Sequence, residues 1–226
     1  MSLGAGQWFK GAWRSTATVM ATLAAFTCVA GGCATPKKGY DRAEIASRRL
    51  ADVRTEVAAL KTDVSAAVTA LNDLVNNPAA DLRPQFRKFS GAVDAVDARA
   101  NRARDRAVDL RAKRDDYIKN WQAEVNALQN QELRDRAKQR MGEVQASFAA
   151  LTERGDAVRQ TLPAFQSELK DLRRYLANDL TSTGLSSVGG MVSRTQNEEK
   201  NVQAALDALI AELDRVSTEV SPRLAT

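Results

Sequence analysis

Between Phe86 and Leu176, apolar residues recur at alternating spacings of three and four, with one interruption at Leu128-Gln129-Asn130-Gln131. Before the interruption lie Phe86, Phe89, Val93, Val96, Ala100, Ala103, Ala107, Leu110, Tyr117 and Trp121, with Arg114 on the same spacing. After it come Ala137, Met141, Val144, Phe148, Leu151, Gly155, Val158, Leu162, Phe165, Leu169, Leu172 and Leu176. A heptad repeat sustained over about five heptads requires helices packed side by side with a left-handed supercoil. A strand would show a period of two instead. The stretch therefore predicts two very long helices folded back on each other.

The same spacing extends to both sides. Leu50, Val53, Val57, Leu60, Val64, Ala67, Leu71 and Leu74 mark a first helix over 41–76, opened by a capping-box-like Asp41-Arg42-Ala43-Glu44 and stopped by Asn76-Asn77-Pro78. The second helix is predicted over 82–128, with Pro84 tolerable in its first turn, and the third over 132–179, bent at Pro163. Thr181 to Gly190 reads as the third connection, and a fourth helix over 190–220 carries Val202, Leu206, Leu209, Leu213, Val216 and Val220. Pairing about the turns places Ala107 near Gly155, Leu110 near Leu151, Val96 near Phe165, Leu71 near Phe89 and Phe165 near Val202. Core positions then meet core positions throughout. The expected fold is all-α: an elongated antiparallel up-down-up-down four-helix coiled-coil bundle over 41–221, roughly 50 Å long at 1.5 Å per residue. Its first helix should start opposite Tyr117 and its last end opposite Phe148. The hairpin of the second and third helices, about Ile118 to Glu143, should protrude as a tip by roughly 20 Å.

The N-terminus reads as an address. Lys10 and Arg14 precede an apolar run from Thr16 to Ala30, too short for a membrane span of roughly 20 residues. Small residues follow, ending at Cys33. Val29-Ala30-Gly31-Gly32-Cys33 resembles the bacterial lipoprotein signal, in which the cysteine is acylated and becomes the mature N-terminus. Residues 1–32 are then a signal peptide, Cys33 the lipid attachment site and 33–40 a lipidated tether. Ordinary secretion with Cys33 incidental is the plainer alternative. Ala34, where an inner-membrane lipoprotein often has Asp, favours the outer membrane. A tether of six or seven residues spans at most about 25 Å, which turns the tip toward the bilayer.

Chemistry is sparse. The chain has no histidine, which removes the commonest acid/base group and metal ligand. No phosphate-binding loop, nucleophile elbow or dinucleotide fingerprint is present, so no enzyme activity, catalytic residue, metal site or cofactor is expected. Loss of Lys10 and Arg14 from 33 basic residues leaves 31 against 28 acidic ones, too even a balance for nucleic acid. Two features remain. Arg99 to Arg114 holds seven basic residues and two acids. Arg99, Arg102, Arg104, Arg106, Arg111 and Lys113 are candidate contacts to an anionic surface, or else a solvated face paired with acids of the first helix. Trp121, Val125, Leu128, Leu133 and Met141 cluster at the tip. They either zip the two helices together or bind a protein partner, another copy or the lipid interface.

The chain resembles an uncharacterised family of bacterial envelope lipoproteins that carry a domain of unknown function. The resemblance rests on Val29 to Cys33 (VAGGC), Gly39 to Arg42 (GYDR), Asp115 to Val125 (DDYIKNWQAEV), Leu133 to Met141 (LRDRAKQRM) and Leu162 to Ala177 (LPAFQSELKDLRRYLA). It covers nearly the whole mature chain and brings no activity or site with it. The expectation is a lipid-anchored helical scaffold, spacer or adaptor on the periplasmic side of the envelope, held to the membrane through Cys33 and engaging a protein partner or itself. The alternative is a membrane-binding or membrane-shaping module in the manner of BAR domains, using the basic helix face.

Overall fold

The computed structural model describes residues 38–221. The expected signal peptide, the acylated Cys33 and most of the tether lie outside the described residues. Four helices account for nearly all of the rest: α1 Gly39–Asn76, α2 Arg83–Ala127, α3 Gln131–Asn178 and α4 Ser182–Val220. The described chain is an all-α helical bundle without strands.

Short polar devices set the helix ends. The Lys38 amide donates to Asp41 Oδ2 at 3.1 Å, so α1 opens two residues before the expected start, and Asp41 caps from inside the first turn. Gln85 braces the first connection: its amide nitrogen donates to the Asn77 carbonyl at 2.9 Å, and its oxygen accepts from the Ala79 amide at 2.9 Å. Pro84 sits in the first turn of α2, where its missing N–H costs nothing. At the second connection the Asn130 side chain accepts from the Leu133 amide at 3.0 Å. Arg134 Nε donates to the Leu128 carbonyl, also at 3.0 Å.

The third connection differs from expectation. Thr181 to Gly190 is not a loop of that length. Thr181 is the N-cap, accepting from the Gly184 amide at 3.1 Å, and α4 runs from Ser182. Leu185, Val188 and Val192 continue the three-four spacing and are buried, which offsets the roughly 1 kcal/mol that each glycine costs a helix. The serine hydroxyls add their own bonds: Ser186 and Ser187 donate to the Ser182 and Thr183 carbonyls, both at 2.9 Å. Pro163, as anticipated from the apolar spacing, lies within a helix that continues past it.

Each helix packs on two others: α1 on α2 and α4, α3 on α2 and α4. Numbers that rise along α1 fall along α4, as Arg54 meets Asp214 at 2.6 Å, Ser65 meets Glu199 at 2.9 Å and Asn72 meets Gln196 at 3.3 Å. Between α2 and α3, Asp97 takes both Gln166 at 2.7 Å and Lys170 at 2.8 Å. Between α1 and α2, Arg49 meets Asp109 at 2.9 Å, and Arg99 meets Asp63 at 3.0 Å. Half-exposed pairs of this kind contribute about 0–1 kcal/mol each, so they select register more than they hold the bundle. Stability comes from the stripe they flank. Phe89, Phe165, Leu71, Leu74, Leu169, Leu176 and Leu206 are completely shielded from solvent, and fully burying a side chain of this size contributes about 1.5–3 kcal/mol.

Candidate functional site

The turn between α2 and α3 carries the first candidate surface, and the structure divides its five expected residues. Val125 and Met141 are buried, Trp121 and Leu128 are half-buried, and Leu133 is 55 % exposed. The Trp121 ring lies 5.4 Å from that of Tyr117, and Trp121 packs against the main core. Burial holds the Tyr117 phenol above its ordinary value, partly countered by the positive charges of Arg140 and Arg42. Side chains of α1 and α4 reach into the stretch Ile118–Glu143, expected to be bare of them. Arg42 of α1 pairs with Glu124, and Arg140 pairs with Glu219 of α4 at 3.1 Å. The reason is geometric: α1 starts earlier than expected, and long arginine side chains reach beyond their own backbone level. Leu133 stands in the first turn of α3, on a connection locked by Asn130 and Arg134.

The basic stretch of α2 also divides. Arg99 and Arg102 turn toward α1, where Glu56 accepts from both and Asp63 accepts from Arg99. These carboxylates hold the Arg99 guanidinium above its ordinary value, through their hydrogen bonds first. Arg104 bonds Asn101 of its own helix, at 3.1 Å. Among the described residues, Arg106, Arg111 and Lys113 have no ion-pair partner. Arg104 and Arg111 turn toward α3 rather than α1.

There they border a groove of about 520 Å³ that opens between α2 and α3 and reaches inward to α1 and α4. Its cause is legible in side-chain size. Ala100, Ala103 and Ala107 on α2 face Gly155 on α3, so along this length the seam lacks the bulk to close. A Cβ added at Gly155 would meet nothing within 4 Å. Leu110, Leu151, Val158, Leu162 and Leu209 keep 7–8 % of their surface exposed here, whereas Phe89 and Phe165, further along the same helices, keep none. Expected partners Ala107 with Gly155 and Leu110 with Leu151 do line one space, but they do not fill it. Spacing alone does not show this feature, because periodicity carries no measure of the volume left between facing residues. A second, smaller hollow of about 240 Å³ lies between Gly39, Tyr40 and Arg42 on one side and Tyr117, Trp121 and Glu124 on the other.

Among the described residues, no group of three or more Cys, Asp or Glu side chains is placed to hold a metal ion. None of the described helices is long and apolar enough to cross a membrane. Neither curated proteins nor solved structures include a significant match to this sequence. Residues 33–221 match the family described as "Protein of unknown function (DUF2959)", and the chain belongs to that family.

Proposed function

We propose that this chain is a non-enzymatic, lipid-anchored protein of the bacterial cell envelope that serves as a helical spacer or adaptor. In this reading the bundle is elongated, antiparallel and up-down-up-down, with the α2–α3 hairpin as its tip. The opposed numbering of the cross-helix pairs Arg54–Asp214, Asp97–Gln166 and Arg49–Asp109 supports that arrangement. The observation that carries the functional reading is Leu133: a large apolar side chain is held out to water on a turn that two side chains, Asn130 and Arg134, make rigid. Rigid presentation of an apolar anchor reduces the ordering cost of binding. Cys33 is the proposed attachment point, and the family match begins there. Lys38 lies five positions further on, a reach of about 18 Å when extended. Because Arg42 pairs with Glu124, the chain enters the bundle at the tip's end, which favours a tip facing the membrane, the outer one by the Ala34 criterion.

A photo-crosslinker at Gln129 of the full-length protein in cells, followed by pull-down, tests the reading. A discrete crosslinked species that disappears with Leu133→Ser is the expected result. No adduct, or one indifferent to Leu133→Ser, would count against the tip as a working surface. Cys33→Ser should move the protein from the membrane to the soluble periplasmic fraction. The BAR-like alternative gains less, since Arg99 and Arg102, two of its six cationic contacts, are engaged by Glu56 and Asp63.

A further inference from the structure

The groove between α2 and α3 is bordered by cations. Arg104, Arg111 and Arg114 line it from α2 and Arg159 from α3, and no carboxylate among the described residues does. Elsewhere along this seam opposite charges face each other, as Asp94 with Arg173 and Asp97 with Lys170. The pairing of Asp97 with Gln166 puts Arg104 level with Arg159 in register, and both border the opening. Their local bonds do not cross it. Arg104 reaches Asn101, Arg114 reaches Asp115 and Arg159 reaches Asp156, each on its own helix. Arg111 has no ion-pair partner among the described residues. Cations close together on an exposed rim repel one another weakly in water, and an anion between them turns that into attraction.

Below the arginines the lining is aliphatic: Val53 and Leu60 of α1, Leu151 and Leu162 of α3, and Leu206 and Leu213 of α4. The lining residues run from Ala100 to Arg114 on α2 and from Phe148 to Gln166 on α3, a length of roughly 20–27 Å at 1.5 Å per residue. A single extended polymethylene chain suits a trough of that length, and the arginines at its rim suit an anionic end. The volume also falls within the roughly 300–1,000 Å³ typical of small-molecule pockets, with their apolar walls and few polar groups.

We infer that this groove binds one long-chain fatty acid, its alkyl chain along the small-residue seam and its carboxylate between Arg104 and Arg159. A guanidinium fork matches a carboxylate in a bidentate manner; among the described residues Arg104 has no ion-pair partner, whereas Arg159 would exchange Asp156 for the ligand. The carboxylate offsets the surplus of positive charge at the opening, and the alkyl chain covers the strips of Leu151, Val158 and Leu162 that α2 leaves exposed. The inference does not depend on the tip's role or on acylation of Cys33.

The test uses the full chain carrying Cys33→Ser, delipidated and titrated with cis-parinaric acid, whose fluorescence rises in an apolar site. Saturation at one probe per chain is expected, with displacement by palmitate. Hexadecanol should compete at least tenfold less well than palmitate, and butyrate not at all. Gly155→Leu fills the groove with a better helix former, so binding should fall at least tenfold while thermal stability rises. The double variant Arg104→Gln with Arg159→Gln should abolish the preference for palmitate over hexadecanol while leaving the fold intact. Several results would overturn the inference: no saturable binding, equal competition by hexadecanol, tighter binding of 1-palmitoyl lysophosphatidate than of palmitate, or undiminished binding in Gly155→Leu. So would light scattering showing a dimer that Gly155→Leu dissolves, because the groove would then be covered by a second copy.

Discussion

Two leucines on α3 isolate the energetic meaning of the groove. Leu169 is completely buried, whereas Leu151 borders the open seam and keeps 7 % of its surface exposed. Truncation to alanine removes the same atoms from each. At both sites the transfer term is about 2–3 kcal/mol. At Leu169 the neighbours close on every side, so truncation leaves a new cavity. With about 70 Å³ of unrelaxed space at about 24 cal/mol per Å³, the added cost is about 1.7 kcal/mol. At Leu151 one side already faces open space, and truncation merely widens it. We therefore expect Leu169→Ala to cost about 4–5 kcal/mol and Leu151→Ala about 2–3 kcal/mol. In a domain of this size the difference separates the two melting temperatures by about 4–8 °C. Urea denaturation followed by helical circular dichroism measures both values, with unchanged slopes showing that the denatured state is not at issue. If the two variants cost the same within about 0.5 kcal/mol, α2 and α3 are packed as tightly at Leu151 as at Leu169, and the argument for an open groove fails.

Other outcomes follow from single contacts. A Cβ at Gly184 would collide with the Asp179 carbonyl, so Gly184→Ala should lower stability by about 1–3 kcal/mol despite alanine's better helix propensity, whereas Gly189→Ala, in open space, should raise it by about 0.5–1 kcal/mol; thermal melts of the pair check this. Thr181→Ala removes the cap of α4 and should cost about 0.5–2 kcal/mol, with faster amide exchange confined to the first turn of α4. Because burial raises the Tyr117 phenol, its neutral form favours folding; that contribution is complete below the ordinary tyrosine range and is lost as pH rises through the folded-state value. Spectrophotometric titration should show one late-ionising phenol, absent in Tyr117→Phe.

Helix number and the seam each helix offers follow from the sequence alone, because a heptad repeat is a local property of spacing. Phe89, Phe165 and Leu169 could be assigned to the core without coordinates and are fully buried. Helix ends were less legible, since they depend on bonds a pattern does not contain. Glycine and serine content pointed to a loop at 181–190, but Leu185 and Val188 gain enough burial to keep that stretch helical. The basic run of α2 likewise reads as one feature in sequence. Folding sends Arg99 and Arg102 to Glu56 and Asp63, and turns Arg104 and Arg111 to the opposite seam. Periodicity records which way a residue faces; it does not record whether the facing residues are large enough to touch. Alanines at 100, 103 and 107 satisfy the repeat as well as leucines would. Only when the tertiary structure set them against Gly155 did the shortfall in volume become a groove, with like-charged arginines at its mouth.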